Sequence, residues 1–166
     1  MAKEDRHFTH STLRERIVEH VFIGDVLRTL WRRGVADVEI LRSEFDAHGY
    51  DVVMSRGSVV RHIQFKTQRD RDIKVSLALA EKPSGCVIWI GIDEQLNLKH
   101  FRWFGGLPGQ PLPEIKDFKV ARRETRNKAG ERPDRRNHRM VPKRAFEILN
   151  TIDEVVERLF GKLPAG

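Results

Sequence analysis

The chain has 166 residues, with 31 Lys and Arg against 24 Asp and Glu, a net charge of +7 and a single cysteine, Cys86. That length suits one domain with its own apolar core, 1–166. One cysteine excludes a disulfide framework and a cysteine zinc cluster, and no apolar run approaches the roughly 18 residues of a membrane span.

The opening, "MAKEDRHFTHSTLRER", is charged and lacks an apolar signal core, so a cytoplasmic setting without a membrane partner is expected. Thr12 to Arg33 reads as a long helix, with Ser11 or Thr12 as its cap, Glu15 three residues after Thr12, and Gly34 as its stop. "VADVEILR", Val35 to Arg42, is a short strand, and "SEFDAHGY" is an acidic turn. Tyr50 to Thr67, "YDVVMSRGSVVRHIQFKT", is a hairpin turning at Arg56-Gly57-Ser58. "IKVSLALAEK" reads as a helix ended by Pro83-Ser84-Gly85. "CVIWIGI", Cys86 to Ile92, has no alternation, which suits a strand buried on both faces. "LKHFRWF" is a fifth strand.

"GGLPGQPLP" then breaks the pattern, and a basic stretch follows. Glu114 to Arg144 holds 12 Lys and Arg against 5 Asp and Glu, a surplus equal to that of the whole chain. Such a surplus points either to a polyanion, most often nucleic acid or an anionic membrane, or simply to a solvated, partly disordered loop. The stretch shows no periodicity and is expected to be a loop. The chain recovers in two C-terminal helices within 142–161, the second opened by a capping box of Thr151 and Glu154 and stopped by Gly161.

The site chemistry lies in the hairpin. Alternation sends Ile63 and Phe65 one way and Gln64 and Lys66 the other, while Asp51 begins the neighbouring strand. An acid, an amide oxygen and an ammonium are therefore expected at one sheet edge. Magnesium-class ions take oxygen ligands, with only one or two carboxylates, and a nearby lysine can orient water or stabilise charge on a phosphate. In helical projection, Arg14, Asp25, Arg28, Thr29 and Arg32 share one side. Glu19 falls between Val26 and Leu30 on the apolar side, where a carboxylate needs an arginine or a cation. Glu15 lies one turn earlier on nearly the same line. Glu44 and Asp46 are spare acids in the turn. None of the seven histidines has ligand spacing, though His62 shares a strand face with Gln64 and Lys66. "HFRWF", His100 to Phe104, mixes basic and aromatic groups in a way that suits either base stacking or core packing.

Asp51 followed by Gln64-Phe65-Lys66 resembles the PD-(D/E)XK nuclease superfamily, in which an acid opens one hairpin strand and acid-x-lysine lies on the next. The resemblance covers about Thr12 to Phe104. Tyr50 stands where the pattern has proline, and Gln64 where it has its second acid; Mrr-like restriction enzymes are similar in using Q-x-K. The resemblance implies a restriction-endonuclease-like α/β fold: a central mixed five-stranded sheet flanked by helices, in the order α-β-β-β-α-β-β. The core would span about 12–104, followed by a Gly/Pro-rich then basic loop over 105–141 and the C-terminal helices. It implies catalytic Asp51, Gln64, Lys66 and Glu19, with Mg²⁺ or Mn²⁺ held by Asp51, Gln64, Glu19 and the Phe65 carbonyl. Arg122, Arg123, Arg126, Arg135, Arg136 and Arg139 would grip nucleic acid, DNA being the expected form. Cutting both strands of a duplex commonly needs two sites, so a homodimer belongs to the expectation. The alternative is a nuclease-like fold that binds nucleic acid without cutting it.

Overall fold

The computed structural model describes residues 9–44, 48–67 and 72–164. Helix α1 runs from Ser11 to Arg32. Neither Ser11 nor Thr12 caps it: His10 holds the N-cap position without a side-chain bond, and the Arg14 amide donates to the His10 carbonyl at 2.9 Å. Gly34, at φ 69°, lets the chain leave the helix. The buried side carries Val18, Glu19, Phe22, Ile23, Val26, Thr29 and Leu30. Thr29 thus lies in the core and not with the polar side, because the packed arc is wider than the apolar residues alone suggest.

Strands β1 (Val38–Arg42), β2 (Val52–Arg56) and β3 (Val59–Lys66) form an antiparallel meander. The β2–β3 turn has two residues, with Gly57 at φ 55° and Ser58 at negative φ, the backbone of a type II′ hairpin. β3 then pairs in parallel with β5 (Gly85–Ile92). β6 (Leu98–Gly105) and β9 (Glu147–Leu149) complete a six-stranded sheet in the order β1-β2-β3-β5-β6-β9. The protein is therefore α/β with a mixed sheet, of six strands and not five.

The two faces of that sheet are covered differently. α1 and α3 (Ile152–Phe160) pack on the face of Val52, Met54, Ile63, Ile88, Ile90, Phe101 and Trp103. Phe22 meets Phe65 and Phe101 edge-on, with ring centroids 5.1 and 5.9 Å apart. The other face, with Val87, Trp89 and Phe104, is covered by a second sheet. It has three strands in the order β4-β8-β7: β4 (Ile73–Ser76), β7 (Val120–Arg122) and β8 (Asp134–Val141). β5 is apolar throughout because Ile88 and Ile90 enter one layer and Val87 and Trp89 the other.

Three elements differ from what the sequence pattern suggests. Residues 73–82 are not one helix. Ile73 and Val75 alternate into the second layer as β4, and Ser76 caps only the one-turn α2 (Leu77–Ala80) through its hydroxyl, which accepts the Ala78 amide at 3.2 Å. The 105–141 segment is not a structureless loop, since β7 and β8 lie within it. The first C-terminal helix is a 3-10 turn, Lys143–Ala145, followed by edge strand β9. The capping box of Thr151 and Glu154 forms as expected, and Gly161 ends α3 at φ 82°.

Candidate functional site

At the end of β3, a cleft of about 350 Å³ opens between the sheet and the first turns of α1. Its walls are Thr12, Glu15, Arg16 and Glu19 from the helix, Asp51, then Phe65, Lys66 and Thr67, with Ile90 beside them. Three of the four expected catalytic side chains, Asp51, Lys66 and Glu19, line it.

Asp51 sits one residue before β2, opposite the end of β3. Its amide donates to the Ile63 carbonyl at 2.8 Å, and its Oδ2 accepts the Phe65 amide at 2.7 Å. The carboxylate thus takes the place of a ladder carbonyl, which fixes it at the cleft wall and holds the Phe65 backbone there. The Phe65 ring is anchored separately, edge-on to Phe22.

Glu19 is 7% exposed. Its Oε1 accepts from Arg42 Nη1 at 2.9 Å and its Oε2 from Arg16 Nη1 at 3.2 Å. Arg42 ends β1 opposite Val52, the first residue of β2, so the two arginines approach Glu19 from different elements. Arg16 lies one turn before Glu19, a spacing visible in the sequence; Arg42 could be found only from the strand pairing. Sequence reasoning singled out neither.

Gln64 lies one residue behind the cleft wall, opposite Val87 of β5. It is 8% exposed, and its Oε1 is buried with no hydrogen-bond partner among the described residues. A buried amide oxygen is an acceptor that ordinarily finds a donor or a cation. Val87 enters the second layer while Glu19 lies in the helical layer, so the Gln64 side chain is not brought to the cleft with Asp51 and Glu19. Asp51, Glu15 and Glu19 line it with carboxylate oxygens of the type a magnesium-class ion takes, so the lining fits such an ion chemically. As arranged, Glu19 is fully engaged by arginine. Among the described residues no group of three or more His, Cys, Asp or Glu stands ready for a metal. Glu44 is exposed, and Asp46 lies outside the described residues.

His62 is not part of the cleft wall. It packs edge-on against Tyr50 at 4.9 Å, and Lys82 lies over the Tyr50 ring at 5.5 Å. Burial, and then the Lys82 charge, push the His62 pKa below its ordinary value. In "HFRWF", Phe101, Trp103 and Phe104 are core residues, so these rings serve packing and not base stacking.

The basic segment is an ordered arm. Arg139 donates to the backbone carbonyls of Lys116, Arg136 and His138 at 3.0, 2.8 and 3.2 Å, so it braces the arm from within. Arg126 donates to the Gly130 carbonyl at 2.8 Å, and Arg122 lies 3.5 Å from Asp134. Arg123, Arg135 and Arg136 are exposed, and no ion pair engages them among the described residues.

No protein-family model, curated protein or solved structure matches the chain. No helix among the described residues is long and apolar enough to cross a membrane.

Proposed function

We propose that the chain is a divalent-metal-dependent nuclease of the PD-(D/E)XK type, with the restriction-endonuclease-like fold, acting on DNA. The observation that carries this reading is the meeting at one cleft of Glu19 from α1, Asp51 from just before β2 and Lys66 from the end of β3. A meander of three antiparallel strands followed by a parallel strand is compatible with it.

On this reading Asp51, Glu19 and the Phe65 carbonyl would hold Mg²⁺ or Mn²⁺, with the Gln64 oxygen joining them from the other sheet face on metal binding, and the ion would supply positive charge against the scissile phosphate. Lys66 orients the attacking water and stabilises the charge that grows on the phosphate oxygens. The water oxygen bonds to phosphorus, one ester P–O bond breaks, and the leaving oxygen takes up a proton. Exposed arginines of the arm, Arg123, Arg135 and Arg136, bind the backbone away from the reacting centre.

One observation favours the alternative of a non-cutting binding module: both Glu19 oxygens are held by arginine while Gln64 stands in for an acid. Cleavage of labelled single- and double-stranded DNA and RNA with Mg²⁺ or Mn²⁺ separates the two. The nuclease reading expects the parent to cut, Gln64→Glu to retain cleavage, Gln64→Ala to weaken both metal binding and cleavage, and Lys66→Met to bind metal but lose on the order of 10²–10³ in rate. A parent that binds nucleic acid and never cuts would establish the binding module.

A further inference from the structure

We propose that Arg16 and Arg42 are phosphate-binding residues of the cleft, and that nucleic acid, by drawing them off Glu19, frees that carboxylate for the divalent ion. This rests on the nuclease-type reading of the cleft for its metal, and on the geometry of Glu19 for everything else.

Glu19 is a buried anion with a cation on each oxygen, at 2.9 and 3.2 Å. Its side chain is 8% exposed, whereas those of Arg42 and Arg16 are 37% and 60% exposed. The carboxylate therefore sits at the bottom and the guanidiniums reach it from solvent. Arg16 is itself part of the cleft wall. Arg42 is followed by Ser43, whose amide donates to the Asp51 carbonyl at 3.2 Å. The two guanidiniums thus stand beside Asp51, where a phosphate would have to lie for the proposed reaction, and together with Lys66 they balance the carboxylates of Glu15, Glu19 and Asp51.

A buried carboxylate is stable only while some cation holds it. Arginine and a divalent ion are alternatives for that role. A phosphate offers arginine the same forked pairing that a carboxylate does. Nucleic acid binding alone would strip Glu19 of its partners and leave it bare. Metal binding alone would have to expel the guanidiniums into water. When both ligands bind, arginine pairs with phosphate, Glu19 pairs with metal, and neither cost arises. Each ligand therefore strengthens the other, and reciprocity requires the same factor in both directions.

The decisive test uses the whole chain and a fluorescent duplex in metal-free buffer at fixed salt. Glu19→Gln keeps the shape of the side chain and releases the arginines, so duplex affinity should rise. Glu15→Gln makes the same charge change in the same cleft without touching Arg16 or Arg42, and should raise it less. Arg16→Gln and Arg42→Gln should each lower it. In the parent, saturating duplex should tighten Mn²⁺ binding by about 5- to 150-fold, the usual range for coupled sites, and in Glu19→Gln that gain should shrink. Should an arginine variant unfold for want of a partner to Glu19, the comparison of Glu19→Gln with Glu15→Gln still decides. Equal effects of those two variants, or no change from Glu19→Gln, would overturn the exchange and make the arginines structural. The nuclease reading fails on a different result, absence of cleavage, which leaves the metal-free duplex measurements intact.

Discussion

Arg61 places a guanidinium where its partners are backbone carbonyls and one indole ring. It is fully buried in β3. Its Nε donates to the Leu159 carbonyl at 2.9 Å, and its Nη2 to the carbonyls of Arg158 and Gly106 at 2.8 and 3.0 Å. It stands over the Trp103 ring at 5.3 Å. Two of those carbonyls belong to the last turn of α3, where helices have unpaired acceptors and favour a cation. Arg61→Met would keep the stem and orphan all three, and should cost about 3 kcal/mol in urea unfolding, since each buried acceptor left unpaired costs roughly 1–3 kcal/mol. Nothing in "VVRHIQFK" signals this role; an arginine within a strand reads as surface. Nearby Cys86 is buried, and burial pushes its thiol up to about 12 against the opposing pull of Arg61. It should resist alkylation in the folded protein at neutral pH and react on unfolding. His62 carries a pH signature. Its folded pKa lies below the ordinary value near 6.5, so the unfolded chain takes up the proton first. Its contribution to stability is present above about pH 6.5 and is lost as the pH falls through the folded pKa. Urea midpoints measured downward from neutral pH should fall less steeply in His62→Gln than in the parent.

Elements with strong local signals were legible and those shaped by distant partners were not. α1 and β5 follow from their apolar patterns, and the start of α3 from its cap. The Thr151 hydroxyl accepts the Glu154 amide at 3.2 Å, and the Glu154 carboxylate accepts the Thr151 amide at 3.2 Å. Thr151→Ala should cost about 1 kcal/mol. β8 is the opposite case. Along "DRRNHRMV" only Val141 is buried, so no alternation marks the strand. The pairing of β8 with β4 and β7, and the Arg139 bonds to three carbonyls, hold it instead. The arm's arginines accordingly divide. Neutralising Arg123, Arg135 and Arg136 should flatten the salt dependence of duplex binding by a log–log slope of about 0.9 for each phosphate no longer neutralised. Arg139→Ala should instead lower thermal stability and alter binding only through the arm. An unchanged salt slope in the triple variant would remove the arm from the interface.

At the scale of the whole molecule, the parallel β3–β5 pair is the axis on which the site depends. It separates a helical layer from a small sheet, and the cleft opens where β3 leaves the main sheet. The meeting of Asp51, Phe65 and Lys66 at one strand end was readable because a hairpin has period two and a short span, whereas the Gln64 side chain, beside Val87 of the parallel partner β5, was placed by a long-range pairing with no local signal. Glu19 was readable because a carboxylate on an apolar helical side is costly. What held Glu19 was only half readable, since Arg42 arrives through a strand pairing that no local pattern encodes. The proposed nuclease chemistry stands or falls with Asp51 as the anchor of a metal-dependent reaction at this cleft. Asp51→Asn isolates that role, because an asparagine oxygen can still accept the Phe65 amide and keep the strand end in place. Manganese titration and DNA cleavage should be measured on the parent and on this variant at matched thermal stability. Mn²⁺ binding and cleavage are expected in the parent, with weakened binding and a loss on the order of 10² or more in rate for Asp51→Asn. Cleavage undiminished by Asp51→Asn, or a parent that binds no divalent ion, would contradict it.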